Sequence, residues 1–580
     1  MDLKRELRAA AGKAKRLPAR VIRFGAAKLP TNSPLRKTAK KLATTLLPGV
    51  VAKAKQAPVV GNREPIVGAE KVLWVAARNV QEPYLAPEKE PYRILGAPLA
   101  SAVRVAMIAD DFTYQSFRTE FDVERLMPKT WRAQMDKHKP ALFFCESAWQ
   151  GGPPSEHPWQ SKVYASIRWP ERRHELLAIL AYCKKKGIPT VFWNKEDPTH
   201  FDDRVNDFVA TAKLFDHVLT TDADCVSRYV NEVGVAHAGC LPFAVQPRIF
   251  HPLGAKHDPS QASFAGSWYA NYEDRSAAAE EIFDLVLESG RELVIYDRAH
   301  GTTDERRVFP AKYAQFTHPA ITFEETAEAY RASAFGITLN TVTTSSTMFA
   351  RRIYELAACG AIVLSNESEG VRDVFGDSVI FPQTERERFL ALDDAEILRM
   401  RRKAMSIAMA NTYLQRAEQV LAFAGVPFQS RETTTLAVRV ASFADVDRAR
   451  ELAADPLYSH LLLIVEPEAE YELLDALQRK SSGGETVVAA SSIAFGLRSR
   501  SYMTTPDLVL VDLADPLPAE TAAEIRRHLV HADAPVRACS DAVRLYTKAE
   551  GPATNLAIGT SSLERFGEIL AADSVEAWEV

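Results

Sequence analysis

Cysteine is sparse and unpatterned in this chain: six in 580 residues, none in a Cys-x-x-Cys spacing. That excludes a disulfide framework and a zinc ribbon, and fits reduced, buried thiols in a cytoplasmic protein. No uninterrupted apolar run reaches the ~18 residues of a membrane span. The start lacks the apolar centre of a signal peptide. Net charge is also small, −4, and no metal-ligand spacing stands out. What is there is ordinary for a globular chain, 47% hydrophobic and 25% charged, and long enough for about three domains with real cores.

The small net charge hides an uneven distribution. Residues 1–56 carry fifteen Lys and Arg against two acids, a net of +13, so the remainder is acidic. This arm alternates basic residues with Leu, Val, Ile and Ala, is cut by Pro18, Pro30, Pro34 and Pro48, and is amphipathic over 39–47. It reads as a tail lying on its own acidic body or as a contact to anionic lipid headgroups. Nucleic acid is not expected, because the acidic body offers no basic-aromatic stacking platform. Residues 57–102 are Pro-rich, with one strand expected at 71–76, and read as a connector.

The chain is organised around residues 334–382. An apolar run at 334–339 ends at Asn340 and reads as a buried parallel strand. A Thr/Ser loop follows, and then Ile353, Leu356, Ala357 and Gly360 recur with helical spacing. Residues 361–364 and 378–381 are the next strands. This is the strand–loop–helix–strand unit of a doubly wound sheet, which binds ligands at the carboxyl ends of its strands. The start of the helix offers free N–H groups and a positive dipole end to an anion. Arg352 and Glu355 are three apart on that helix. They read either as an ion pair worth ~0.3 kcal/mol, or as Arg352 on a diphosphate with Glu355 accepting from ribose hydroxyls.

Upstream, strands are expected at 103–109, 141–145, 189–193, 217–220 and 238–241, with a helix at 175–183. Polar residues collect where strands end: Glu146 in Glu-Ser-Ala-Trp, and Asn194 to Phe201 in Asn-Lys-Glu-Asp-Pro-Thr-His-Phe. They are cleft residues or turn and cap residues. Asp222-Ala223-Asp224 imitates an Asp-x-Asp metal motif, but a helix over 225–233 follows at once, so Asp222 is expected to cap it. Residues 241–252 read as a linker. Ser263 to Tyr269 then opens a second domain, with Gly266 letting backbone approach a phosphate and Arg275 near the start of the next helix, 275–287. A strand is expected at 293–296 and a helix at 324–332. Residues 385–424 read as mostly helical. Residues 433–580 show strands at 436–441, 461–465, 486–490 and 508–512 with helices between.

Thr347 to Gly360 (Thr-Met-Phe-Ala-Arg-Arg-Ile-Tyr-Glu-Leu-Ala-Ala-Cys-Gly) resembles the donor-site helix of GT-B glycosyltransferases, closest to the spore-maturation-protein-like family with its group 1-like C-terminal domain. The two turns at Glu146 and Asn194–Phe201 and the spacing Gly266…Arg275 resemble the same family, so the likeness spans about 103–425. Thr347 stands where many group 1 enzymes carry a further Glu, which leaves retention or inversion open. The resemblance implies an α/β GT-B fold of two facing Rossmann-like domains, an acceptor domain at 103–245 and a nucleotide-sugar domain at 246–428 with a closing helix. Residues 433–580 would be an accessory α/β domain. Its segment 507–516 faintly resembles a GT-A nucleotide-sugar domain and suits packing, homo-oligomerisation or acceptor contact.

The implied activity is transfer of a sugar from a nucleotide-diphosphate sugar to a hydroxyl on a glycan, lipid-linked or protein acceptor in cell-envelope or surface glycan synthesis. It would need no metal and no cofactor beyond the donor. Gly266, Arg275, Asn340, Ser345, Ser346, Thr347 and Arg352 would surround the diphosphate and Glu355 the ribose, while Glu146, Asp197 and His200 are candidates for the base of an inverting route. The enzyme would be cytoplasmic, with the arm at the inner face of the plasma membrane. A noncatalytic nucleotide-sugar-binding scaffold and a nucleotide-sugar epimerase share the fold and stay open.

Overall fold

A computed structural model describes residues 97–153, 155–478, 484–494, 505, 507–538, 546–559, 562 and 565–580. The basic arm 1–56, most of the connector and the strand expected at 71–76 lie outside the described residues.

The first sheet contains β1 (Arg104–Ile108), β2 (Asp122–Arg125), β3 (Leu142–Glu146), β4 (Thr190–Asn194), β5 (His217–Thr220) and β6 (Ala238–Cys240). Their order is β2-β1-β3-β4-β5-β6, and every pairing is parallel. Strands covered by helices on both faces need unbroken apolar runs. Leu-Phe-Phe-Cys-Glu of β3 and Thr-Val-Phe-Trp-Asn of β4 are buried throughout. β2 carries no strand signal in the sequence, because this edge strand is Asp-Val-Glu-Arg, without an apolar run, and is only partly buried.

The second sheet contains β7 (Asp258–Gly266), β8 (Glu292–Asp297), β9 (Thr317–His318), β10 (Ser333–Thr338), β11 (Ile362–Ser365) and β12 (Val379–Ile380). It is also parallel, in the order β12-β11-β10-β7-β8-β9. The strand order reverses between β7 and β10 here, and between β1 and β3 in the first sheet. Crevices open at the carboxyl ends of strands at such points.

Residues 385–424 form three helices, Arg386–Leu390, Asp394–Met409 and Tyr413–Phe423. The last crosses back to the first domain. Its Tyr413, Ala417, Val420 and Leu421 are buried with Phe117, Trp193 and Leu241, and Tyr413 meets the Phe117 ring edge-on at 5.0 Å. Thr412 and Gln415 form a capping box at its start, which fixes where the chain turns.

The central helix is shorter than its sequence suggests. It runs from Arg352 to Ala358, and residues 347–350 are a loop. Asn340 Oδ1 takes the Ala350 N–H at 2.8 Å and the Thr347 hydroxyl bonds to the first domain, so these residues are held outside the helical ladder.

The C-terminal sheet has eight strands, β13 (Thr434–Val440), β14 (Tyr458–Val465), β15 (Glu485–Ala489), β16 (Leu508–Val511), β17 (Val536–Arg537), β18 (Thr547–Pro552), β19 (Leu556–Ile558) and β20 (Ser574–Glu579). Their order is β15-β14-β13-β16-β19-β17-β20-β18. The first four are parallel, while β16–β19 and β18–β20 are antiparallel. Tyr546 and Trp578 of this domain pack into the second domain's core with Phe250 and Tyr330. The five described cysteines are free thiols, and no helix among the described residues is long and apolar enough to cross a membrane.

Candidate functional site

The crevice of the first sheet gathers one cation between two carboxylates. Asp110 follows β1, Glu146 ends β3 and Lys195 follows β4. Glu146 is fully buried; its Oε1 accepts the Asp110 N–H at 2.6 Å. Lys195 Nζ lies 2.9 Å from Asp110 Oδ2 and 3.3 Å from Glu146 Oε1. Asp110 also accepts the backbone N–H groups of Trp149, Gln150 and Gly151. Burial pushes the Glu146 carboxyl up to about 7, with Lys195 pulling down and the Asp110 charge adding to the rise. Burial opposes the charge on Lys195, but Glu146 and Asp110 outweigh it and hold the ammonium on. From this turn the sequence points to Asp197 and His200 and not to Lys195, which sits in the same Asn-Lys-Glu-Asp run.

Asp197 stands apart from that cluster. Its side chain accepts from Asn194 Nδ2 (2.7 Å), Thr220 Oγ1 (2.7 Å) and Tyr229 OH (3.0 Å). Both oxygens are thus in use in a buried knot tying β4 to β5, which corrects its reading as a cleft base. Burial raises this carboxyl to about 7. His200 is half-buried, with Nδ1 3.1 Å from Asp203 Oδ2 and its ring 5.3 Å from that of Trp149.

The crevice of the second sheet is built from arginines. Gly266 ends β7; a Cβ there would lie 2.7 Å from the Phe264 ring and 3.3 Å from Arg352 Nη2. The absence of a side chain therefore lets the guanidinium close on the strand end. Arg275, in the first turn of the Glu273–Glu288 helix, is buried and lies over the Tyr269 ring at 4.9 Å. Arg298 Nη2 donates to Tyr269 OH at 3.2 Å. Burial, and then the charge of Arg352, push the Arg275 guanidinium down to about 10. Among the described residues neither Arg275 nor Arg352 forms an ion pair.

Three expected phosphate ligands have protein partners instead. Asn340 donates to Ser365 Oγ (3.1 Å) and receives the Ala350 N–H, so it organises the loop. Ser345 Oγ donates to Asp222 Oδ1 across the domains at 2.7 Å. Thr347 Oγ1 donates to the Thr221 carbonyl at 3.0 Å and accepts the Ala223 N–H at 2.9 Å. The Ser/Thr loop is thus a latch on the first domain; Ser346 is exposed within it. Asp222 caps the Ala223–Arg228 helix as its sequence context indicates. Among the described residues no group of three His, Cys, Asp or Glu is placed to hold a metal ion.

Glu355 is buried and pairs with Arg351, four residues earlier, at 2.5 Å. Of the two readings of this helix, the ion pair between Arg352 and Glu355 is not formed; Arg351 takes that place. Burial raises the Glu355 carboxyl, and Arg351 and then Arg352 pull it back. The Arg351 guanidinium also lies 4.1 Å from the centre of the Phe112 ring, and Lys195 Nζ lies 4.3 Å from that same ring. Phe112, just past β1, is therefore flanked by a cation from each domain and joins the two crevices. A single Phe after a strand carries no signal of this in the sequence.

Two parallel Rossmann-like sheets, meeting through their strand-end crevices and joined by a helix that returns to the first, define a GT-B protein. Residues 280–422 match the family model described as "Glycosyl transferase-like". It is similar to the spore protein CgeB of Bacillus subtilis (strain 168), 25% identical over 194 residues, covering 32% of this chain. The match spans 59% of the length of that relative. Similar solved structures include an alpha-glucosyltransferase in complex with UDP and DNA, with TM-score 0.39 and 12% identity over 56% of this chain and 99% of that one. WaaG, a glycosyltransferase involved in lipopolysaccharide biosynthesis, gives TM-score 0.34 and 11% identity over 55% and 98%. Anabaena HepE in complex with UDP-glucose gives 0.35 and 13% over 61% and 96%.

Proposed function

We propose that the chain transfers a sugar from a nucleotide-diphosphate sugar to a hydroxyl acceptor, without a metal. The observation that carries this reading is the approach of Arg275 and Arg352 beside Gly266, two guanidinium groups that form no ion pair among the described residues, at the crevice of the second sheet. A diphosphate supplies the missing negative charge. As the glycosidic bond breaks, the leaving diphosphate gains charge, which preorganised guanidinium groups stabilise. Glu355, set by Arg351, accepts from the ribose hydroxyls. On the acceptor side Glu146 is the base: a carboxyl held near 7 matches proton removal from a hydroxyl at neutral pH. Lys195 positions it and keeps its charge bearable when ionised. The acceptor would be a cell-envelope or surface glycan, with the basic arm 1–56 drawing a cytoplasmic enzyme to an anionic inner leaflet.

Thermal-shift screening against nucleotide sugars and free nucleotides tests the donor site. A ligand that binds only the native state stabilises it by about 2.7 kcal/mol at a hundredfold excess over Kd. One nucleotide family should stabilise the native protein, and Glu355→Ala should weaken that response. Absence of any shift at saturating concentration would sink the reading.

A further inference from the structure

The long segment between β3 and the His174–Lys186 helix carries an exposed platform that the donor and base sites do not use. Residues 167–172 (Ile-Arg-Trp-Pro-Glu-Arg) are all exposed. Ile167 is 77% exposed and Trp169 52%, unusual for large apolar side chains side by side. The segment is nonetheless fixed to the body. Ala165 and Asp207 exchange two backbone hydrogen bonds, and the Ile167 N–H donates to the Arg204 carbonyl at 3.0 Å.

A cavity beside Trp169 is lined by Ser161, Tyr164, Ser166, Glu171 and Arg172. Its chemistry is that of a polyol site, an aromatic face with hydroxyls around it. Ser161 Oγ and Tyr164 OH lie 3.3 Å apart, and the Arg172 guanidinium lies 5.1 Å over the Trp169 ring. Glu171 is spent on the buried Arg173, with contacts of 2.9 and 2.7 Å. Arg172 forms no ion pair among the described residues, so the rim carries positive charge.

The platform is linked to the reacting side. Tyr164 packs on the Trp149 ring at 5.7 Å, and the Trp149 N–H donates to Asp110 Oδ2 at 3.1 Å. Two aromatic side chains therefore separate the cavity from the Asp110–Glu146–Lys195 cluster.

We infer that this cavity is an acceptor subsite for an acidic oligosaccharide, with one ring stacked on Trp169 and its anionic group met by Arg172. The inference rests on the transferase reading and extends it: the acceptor is a chain of several sugars, held by a ring distant from the one that reacts. A lipid surface is the competing occupant, since Ile, Trp and Arg also suit a headgroup layer.

The full chain is applied to an array of immobilised oligosaccharides two to six rings long, neutral, uronic-acid-bearing and sulfated. Acidic members should be retained. Trp169→Ala should weaken retention roughly tenfold, about the worth of one good aromatic contact, Trp169→Tyr should restore much of it, and Arg172→Gln should erase the preference for acidic members. Both residues are exposed, so the variants should fold like the native chain. Equal retention by Trp169→Ala, or no member retained, overturns the inference. So does Trp169-dependent capture by phosphatidylglycerol vesicles without retention on the array. Stabilisation by nucleotide sugars should be unchanged in Trp169→Ala. If it is absent from the native chain while array binding depends on Trp169, the donor reading falls and the saccharide site stands.

Discussion

The two crevices have the same origin in topology and opposite electrostatics. In the first, one lysine is shared by Asp110 and Glu146, with Glu196 further off at 3.8 Å. In the second, Arg275 and Arg352 approach each other with no acid between them. Two cations that repel each other at one strand end favour an anion between them. A fold that buries one acid of such a group raises that carboxyl toward neutrality, against the pull of the lysine. Under the proposed function, the contrast would separate a place for binding charge from a place for moving a proton.

The largest effect should come from breaking the balanced crevice. Lys195→Met leaves the buried Glu146 carboxyl and the part-buried Asp110 carboxylate without their cation, and removing one member of such a set costs about 3–5 kcal/mol. Urea denaturation of the variant should show this loss, and a loss under 1 kcal/mol would mean the cluster is wetter than its burial indicates. Arg352→Met tests the unbalanced crevice in the opposite sense. It should leave the stability of the free protein unchanged or raised, while nucleotide-diphosphate affinity falls by about 2–3 kcal/mol, the worth of a charged hydrogen bond. Calorimetry that finds unchanged affinity would remove Arg352 from the anion site.

A smaller effect sharpens the comparison through pH. Asp197 is raised from 3.8 to about 7 by burial, so the native state keeps a proton that the unfolded chain releases. Its contribution is present below pH 3.8 and is lost as pH rises toward 7. The native protein should therefore lose stability relative to Asp197→Asn across that window, and be level with it below. Parallel stability curves for the two proteins would contradict the burial of a protonated acid in this knot.

Much of the fold could be read from patterns of apolar residues. Both cores, the strands at 217–220 and 293–296, and the returning helix show in the chain because parallel strands buried on both faces demand runs of Val, Ile, Leu and Phe. The edge strand β2 did not, since an edge needs no such run. The mixed half of the C-terminal sheet, β17 to β20, is not legible because its strands are short or, as in Thr547–Pro552, mostly polar. Glu146, Gly266, Arg275, Arg352 and Glu355 were legible as residues at strand and helix ends. Their partners were not. Arg351 and Arg352 are indistinguishable in sequence, yet one pairs with Glu355 and the other turns to Gly266. Lys195 and Phe112 gave no sign, because their neighbours come from other strands and the other domain.

The sequence by itself determined most of the buried elements, their order and the chemistry available at their ends, because local propensity and burial periodicity act over a few residues. Only the tertiary structure decided how those ends are used: that Asp197 is knotted into β4 and β5, that Ser345 and Thr347 latch the domains, and that Lys195 divides its charge between Asp110 and Glu146. Charge and hydrogen bonding act across a few ångströms of space, whatever the distance along the chain, so their partners are fixed only when the sheets have closed on one another.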